Sequence, residues 1–413
     1  MRKGIARISV TALGLAAALI LSSCSSGKSS GDDSTGSGSA GSRASGTPIS
    51  IGMINQENTA AGSFPEMRES LQASFSYINN DLGGVNGHPL KLTACITDAT
   101  AASSANCARE MVSDKVVAVA AGVDFGGGGS LPVLASAKTP YVGGEPILPP
   151  ELTSPISYTF VGGSVGAFPS QAYYIAKNLK AKKVAILTTA NPAGEAAATT
   201  YGKNVLNALG VTDVKIVSAA ADAADFTAPV TQVAADKPDV VMVLFSAQGC
   251  GRIMQARQAL GLTSQFFYAG SCADAAVIKT GGGGAEGAYF NSELLSASSN
   301  DPQVKTYVAQ MEKYSPKTAI SGFSQNGFET GMNLYALLKK IPEGQVTSAS
   351  LISALSATSG ETNFMGHPYT CDRTQVPSTP AVCRAFERIV QYKDGKFVDQ
   401  DEWVNGATYL TAS

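Results

Sequence analysis

The sequence predicts an α/β protein made of two doubly wound, Rossmann-like lobes. Apolar strand-like runs alternate with segments of helical period, and this alternation runs once and restarts near Gly166. The about 366 residues that follow an N-terminal stretch unable to fold exceed what one hydrophobic core ordinarily supports.

Taken in order, Ile49 to Ile54 reads as a strand, and Glu66 to Asn80 places Met67, Leu71, Phe75 and Ile78 on one helical face. Asp81-Leu82-Gly83-Gly84 stops that helix, and Asn86-Gly87 turns the chain into a strand ending near Cys95. A helix through Ala108 to Ser113 leads to KVVAVAAGV, whose unbroken apolar character fits a strand buried on both faces. TPYVGG supplies a short strand after the next helix. The second round reads helix PSQAYYIAKNLK, strand KKVAILTT, helix EAAATTYGKNVLNALG, strand DVKIVSA, a helix to Asp236, strand PDVVMVLFS, helix CGRIMQARQALGL and strand SQFFYAG. Beyond Tyr289 come helices over 301–314, 322–340 and 347–357, then a hairpin in RAFERIVQYKDGKF.

The N-terminus answers to different physics. Arg2, Lys3 and Arg7 precede an apolar run from Ile8 to Leu21 that is too short to span a bilayer, and Leu21-Ser22-Ser23-Cys24 follows. That pattern fits a bacterial lipoprotein signal over 1–23, cut before a lipidated Cys24; the alternative is an ordinary secreted chain. Over 24–47 the residues are mostly Ser, Gly, Ala, Thr and Asp, with no aliphatic side chain larger than Ala, so burial cannot offset ordering entropy. The expected product is a tether whose ends lie on the order of 26 Å apart.

A net charge of -2, a single Trp and no long basic run exclude nucleic acid as a partner class. Of seven cysteines, Cys24 goes to lipid. The other six allow fifteen connectivities, of which the short-range set is expected in an oxidising compartment: Cys95 with Cys107, Cys250 with Cys272, Cys371 with Cys383. None of the gaps suits zinc, and no metal or cofactor is expected.

Two glycine-rich runs invite chemistry. Gly162-Gly163-Ser164-Val165-Gly166 matches a nucleophile elbow, with His367 as the one downstream histidine, but no acid is placed to complete a triad. Gly126 to Gly129 follows a strand and precedes a helix, so its amides are candidates to meet a small carboxylate. Gly281 to Gly284 reads as a surface turn, His88 has no second ligand at metal spacing, and Trp403 reads as a packing residue.

INNDLGGVNGHPLKLTACITDAT, followed by CAREMVSDKVVAVAAGV, then KPDVVMVLFSAQGCGRIMQARQALGL and AEGAYF, resembles the extracytoplasmic solute-binding lipoproteins of ABC importers. The resemblance is to the branched-chain amino acid (Leu/Ile/Val-binding) type, with the type I periplasmic-binding fold, and it covers nearly all of 48–413. It implies one lobe over 48–163 plus 291–384, a second over 164–290 plus 385–413, and a three-segment hinge. It also implies a cleft at the C-terminal ends of the strands.

On the matching positions, the resemblance implies ligand contacts from Asp124, Phe125, Gly126, Gly144 and Glu145 in the first lobe and from Phe245 and Ser271 in the second. Gln56, Phe64, Ser246 and Gln248 lie on loops that should open into the same cleft. The hydroxyl pattern usual for an α-amino acid is missing from the first lobe, so Asp124 and Glu145 are expected to pair an ammonium or amide. The implied protein is a monomeric receptor with no enzymatic chemistry, anchored on the outer face of the cytoplasmic membrane. It would present a small polar solute (an amino acid, amide or related acid) to permease and ATPase subunits. A sensory lipoprotein of the same fold is the alternative, and a serine hydrolase at Ser164 a remote one.

Overall fold

A computed structural model describes residues 43–59 and 62–410, with the side chain of Gln248 also outside the described residues. The signal segment, Cys24 and most of the tether therefore lie outside it. The first sheet is wholly parallel in the order β2-β1-β3-β4-β5, from β1 (Ile49–Gln56), β2 (Leu90–Thr97), β3 (Ala118–Ala121), β4 (Tyr141–Val142) and β5 (Ser157–Tyr158). Its connecting helices are α1 (Pro65–Asn80), α2 (Ala101–Ser113), α3 (Ser130–Ala137) and α4 (Pro149–Thr153). Met67, Leu71, Phe75 and Ile78 are all fully buried in one apolar cluster with Ile51, Met53 and Ala118. Each side chain of that size adds roughly 1.5–3 kcal/mol by leaving water.

The second sheet follows the order β12-β11-β10-β9-β8-β6-β7. Its strands are β6 (Lys183–Thr189), β7 (Asp213–Ala219), β8 (Val240–Leu244), β9 (Gln265–Tyr268), β10 (Tyr289–Ser292), β11 (Glu387–Lys393) and β12 (Lys396–Val404). The first five run parallel, and the β11–β12 hairpin adds antiparallel at β10. Around it lie α5 (Gly163–Lys177), α6 (Pro192–Ala197), α7 (Asn204–Ala208), α8 (Thr227–Ala234), α9 (Ala247–Ala259) and α10 (Ala275–Gly281), with a π-helical segment at Ala198–Lys203 joining α6 to α7. Separate apolar clusters cover the two faces of this sheet. Burial on both faces is why its strands read as continuous apolar runs.

After β10 the chain forms α11 (Pro302–Tyr314), α12 (Gly322–Leu338) and α13 (Ser348–Ser356), and these pack beside α1 on the first sheet. Gly327 and Gly331 make the α1–α12 contact close: a Cβ at Gly327 would sit 2.2 Å from the Met67 carbonyl. The chain then runs past Thr159, whose N–H reaches Ala381 O at 2.9 Å, and enters β11. Cys95–Cys107, Cys250–Cys272 and Cys371–Cys383 are bonded.

Three local expectations are corrected. α4 and the two-residue β5 carry too little periodicity to be read from sequence. α5 starts at Gly163, six residues before Pro169, which looked like a helix start but lies inside the helix. Gly281–Gly284 is no simple surface turn, because a Cβ at Gly284 would lie 1.8 Å from the Met254 carbonyl. No helix among the described residues is long and apolar enough to cross a membrane.

Candidate functional site

Parallel pairing brings the ends of β1, β3 and β4 to one edge of the first sheet, and the ends of β8, β9 and β10 to one edge of the second. Glu66, in the first turn of α1, is held above the usual carboxylate range by burial and by the nearby charge of Asp274, which follows β9.

The first lobe's edge is set by a buried polar network. Asn55 donates to Glu57 Oε1 at 3.0 Å and to Phe64 O at 2.9 Å, and Glu57 takes a two-pronged ion pair from Arg68. Gln56 donates to Gly62 O and accepts from the Phe125 N–H at 3.1 Å. Asp124 accepts from Thr97 Oγ1 at 2.9 Å, Ser104 Oγ at 2.6 Å and the Gly126 N–H at 2.9 Å. Gln56 and Asp124 are both fully buried. Both therefore position loops, and Asp124 has its acceptor sites occupied inside the lobe where the sequence reading had it meeting a ligand's ammonium.

The tetraglycine stretch is likewise committed internally. Gly127 N–H bonds Asp124 O and Gly129 N–H bonds Gly126 O, while Cβ atoms at Gly126 and Gly129 would collide with the carbonyls of Thr100 and Ala101. These glycines serve close approach to the start of α2, which removes Gly126 as an anion contact. Gly143 and Gly144 both have positive φ, and the Gly144 N–H donates to Thr330 Oγ1 at 3.2 Å. That turn brings Glu145 within reach of Asn326 on α12. Phe245 is a core residue, 4% exposed and edge-on to Phe226 at 5.3 Å. Phe64, Phe125, Glu145, Ser246 and Ser271 are partly or well exposed, whereas the Gln248 side chain lies outside the described residues.

Sequence reading named Phe64 and Phe125 but missed Phe323, which joins them in an aromatic shelf. Phe125, 43% exposed, meets Phe64 at 6.3 Å, and Phe64 meets Phe323 of α12 edge-on at 5.1 Å. Phe323 and Asn326 lie one turn apart on α12, so they share a face. Asn326 Nδ2 bridges two carboxyls, Glu145 Oε2 at 2.8 Å and Glu293 Oε2 at 3.0 Å. Burial, then the neighbouring Glu293, raise the Glu145 pKa well above its ordinary value. The capping box at Ser321 was the available signal, since it fixes where α12 starts and hence which residues form its first turn.

The elbow-like Gly162–Gly166 run is a helix start, because β5 ends at Tyr158 and Ser164 falls in the first turn of α5. His367 stacks on Phe386 at 3.6 Å with its Nδ1 facing Pro368 O, and no serine–histidine pair forms among the described residues.

The model of the periplasmic binding protein family matches residues 48–387. Among solved structures, the chain resembles a fatty acid ABC transporter substrate-binding protein from Thermomonospora curvata at a TM-score of 0.74 and 14% identity, covering 90% of this chain and 97% of that one. It resembles the branched-chain amino acid transporter substrate binding protein LivJ from Streptococcus pneumoniae, in complex with isoleucine, at a TM-score of 0.70 and 15% identity, covering 87% and 100%. A solute binding protein of an ABC transporter from R. palustris, in complex with 4-hydroxybenzoate, gives a TM-score of 0.67 and 19% identity, covering 86% and 96%. No protein in the curated set matches the sequence significantly. With the family match extending over most of its length, from β1 to the start of β11, the chain belongs to the periplasmic binding protein family and is a solute-binding protein of the type I fold.

Proposed function

We propose that this protein is the substrate-binding component of an ABC importer, held on the outer face of the cytoplasmic membrane by a lipidated Cys24. It takes a small solute between its lobes and delivers it, as a monomer, to permease and ATPase subunits. The observation that carries this reading is chemistry of two kinds side by side at the loop edge of the first sheet. Phe125 offers an exposed ring beside Phe64 and Phe323, and Glu145 and Glu293 offer partly exposed carboxyls. A solute with an apolar body and a hydrogen-bond-donating end, such as an amino acid or amide, fits both. The ligands named for the similar structures, isoleucine and 4-hydroxybenzoate, combine those features.

The test is a thermal-shift screen of protein stripped of ligand by unfolding and refolding, against amino acids, amides, small aromatic acids and fatty acids. A binder at about a hundred times its dissociation constant adds roughly 2.7 kcal/mol. A shift from a compound carrying both features supports the reading. A shift produced only by large or purely polar molecules, or by none, contradicts it.

A further inference from the structure

The chain passes between the two sheets three times: after β5, after β10 and before β11. In the second sheet β10 and β11 stand between the strands β8 and β9 and the edge strand β12. In the first sheet β5 is the edge strand, Val382 bridges to Thr159 just beyond it, and the Thr370 N–H bonds Cys383 O further out. The stretch before Thr370 and the strand β12 therefore lie on one side of the crossings. The loops that end β1, β3, β4, β8 and β9 lie on the other.

Two rings from different lobes meet on that outer side. His367 is carried by the first lobe, because Asn333 of α12 donates to Asn363 Oδ1 at 2.6 Å and the Met365 N–H donates to Gln303 Oε1 of α11 at 2.6 Å. Trp403 is carried by the second. It pairs with Arg388 across the β11–β12 hairpin, the Arg388 guanidinium lies 5.2 Å from its ring centre and is held in turn by Asp399, and the next carbonyl, Val404 O, accepts from Ser170 Oγ of α5 at 3.1 Å. Between these anchors there is little slack. His367 stacks on Phe386 of the third crossing with ring centres 3.6 Å and planes 9° apart, and Trp403 stands edge-on to His367 at 5.7 Å and 72°. All three rings are partly exposed, so the slot they fill opens to water.

We propose that His367 is a wedge behind the hinge, whose bulk sets how far the two lobes open. A rotation about the crossings that separates the loops of β8 and β9 from those of β1, β3 and β4 carries β12 toward the first lobe. Trp403 is then driven against a ring that already rests on Phe386, and close-packed rings do not yield. The wedge rests on the reading that solute is taken between the lobes. It goes beyond that reading by giving a residue remote from the solute surface control over the ligand-free shape.

The experiment is small-angle X-ray scattering of the ligand-free chain as wild type, His367→Ala and His367→Trp, with far-ultraviolet circular dichroism on the same samples. The expected order of the radius of gyration is His367→Ala above wild type and His367→Trp below it, with the dichroism unchanged. Equal radii in all three proteins, or the reverse order, would overturn the wedge. If one variant does not fold, the other against wild type decides. No solute enters the measurement, so a solute screen without a binder would sink the transport reading and leave this result standing, while equal radii would sink the wedge and leave that reading standing.

Discussion

On the first lobe, the loops that end β1, β2 and β3 are held by hydrogen bonds to buried side chains, with Asp124 gripping Thr97, Ser104 and the Gly126 amide. On the second, the loops that end β8 and β9 are joined by the Cys250–Cys272 bond beside the packed Phe226–Phe245 pair. The first arrangement works only if every partner is present, because a missing carboxylate strands several donors in a dry interior. The second acts chiefly by constraining the unfolded chain. The first lobe also carries the exposed ring of Phe125 and the Glu145 carboxyl, so its rigid network supports the surface on which ligand contacts are proposed.

The sharpest way to break this comparison is Asp124→Ala. Removing a buried carboxylate that accepts three hydrogen bonds should cost at least about 3 kcal/mol in urea unfolding, because three donors lose their partner, whereas a small loss would mean that Asp124 is a cleft residue after all. Replacing Cys250 and Cys272 together by Ser should cost roughly 3 kcal/mol by the same measurement, because the link closes a loop of 22 residues. A smaller effect follows from Glu329, fully buried in α12, whose pKa is pushed up to about 8 chiefly by burial. A carboxyl whose folded pKa is raised contributes stability that is fully present below its ordinary unfolded value and is lost as pH rises through the folded one. Glu329→Gln should therefore reduce the fall in melting temperature between about pH 5 and about pH 9, and an unaltered slope would refute the assignment. Phe125→Ala should change stability least, by under about 1 kcal/mol, since the ring is already exposed.

Most of the architecture was legible because it rests on local pattern. Unbroken apolar runs such as VVMVL announce strands covered on both faces, and Met67, Leu71, Phe75 and Ile78 announce the buried side of α1. The site was less legible. A polar residue after a strand looks the same in sequence whether it stays partly exposed, like Glu145, or is claimed by a neighbouring loop, like Gln56 and Asp124. Phe245 illustrates the apolar version, since position alone put it in the cleft but the partner that claims it, Phe226, is nineteen residues away. Phe323, Asn326 and Glu293 come from segments remote in sequence from the loops they join, and three-dimensional packing alone brings them together.

The central claim is that solute is held against the first lobe's aromatic and carboxyl surface. Titration calorimetry of the strongest screening hit into refolded wild-type, Phe125→Ala and Glu145→Ala proteins tests it most directly. The account predicts that each variant stays folded and binds at least about tenfold more weakly, a loss of about 1.4 kcal/mol. Wild-type affinity in both variants would place the ligand elsewhere and contradict the account.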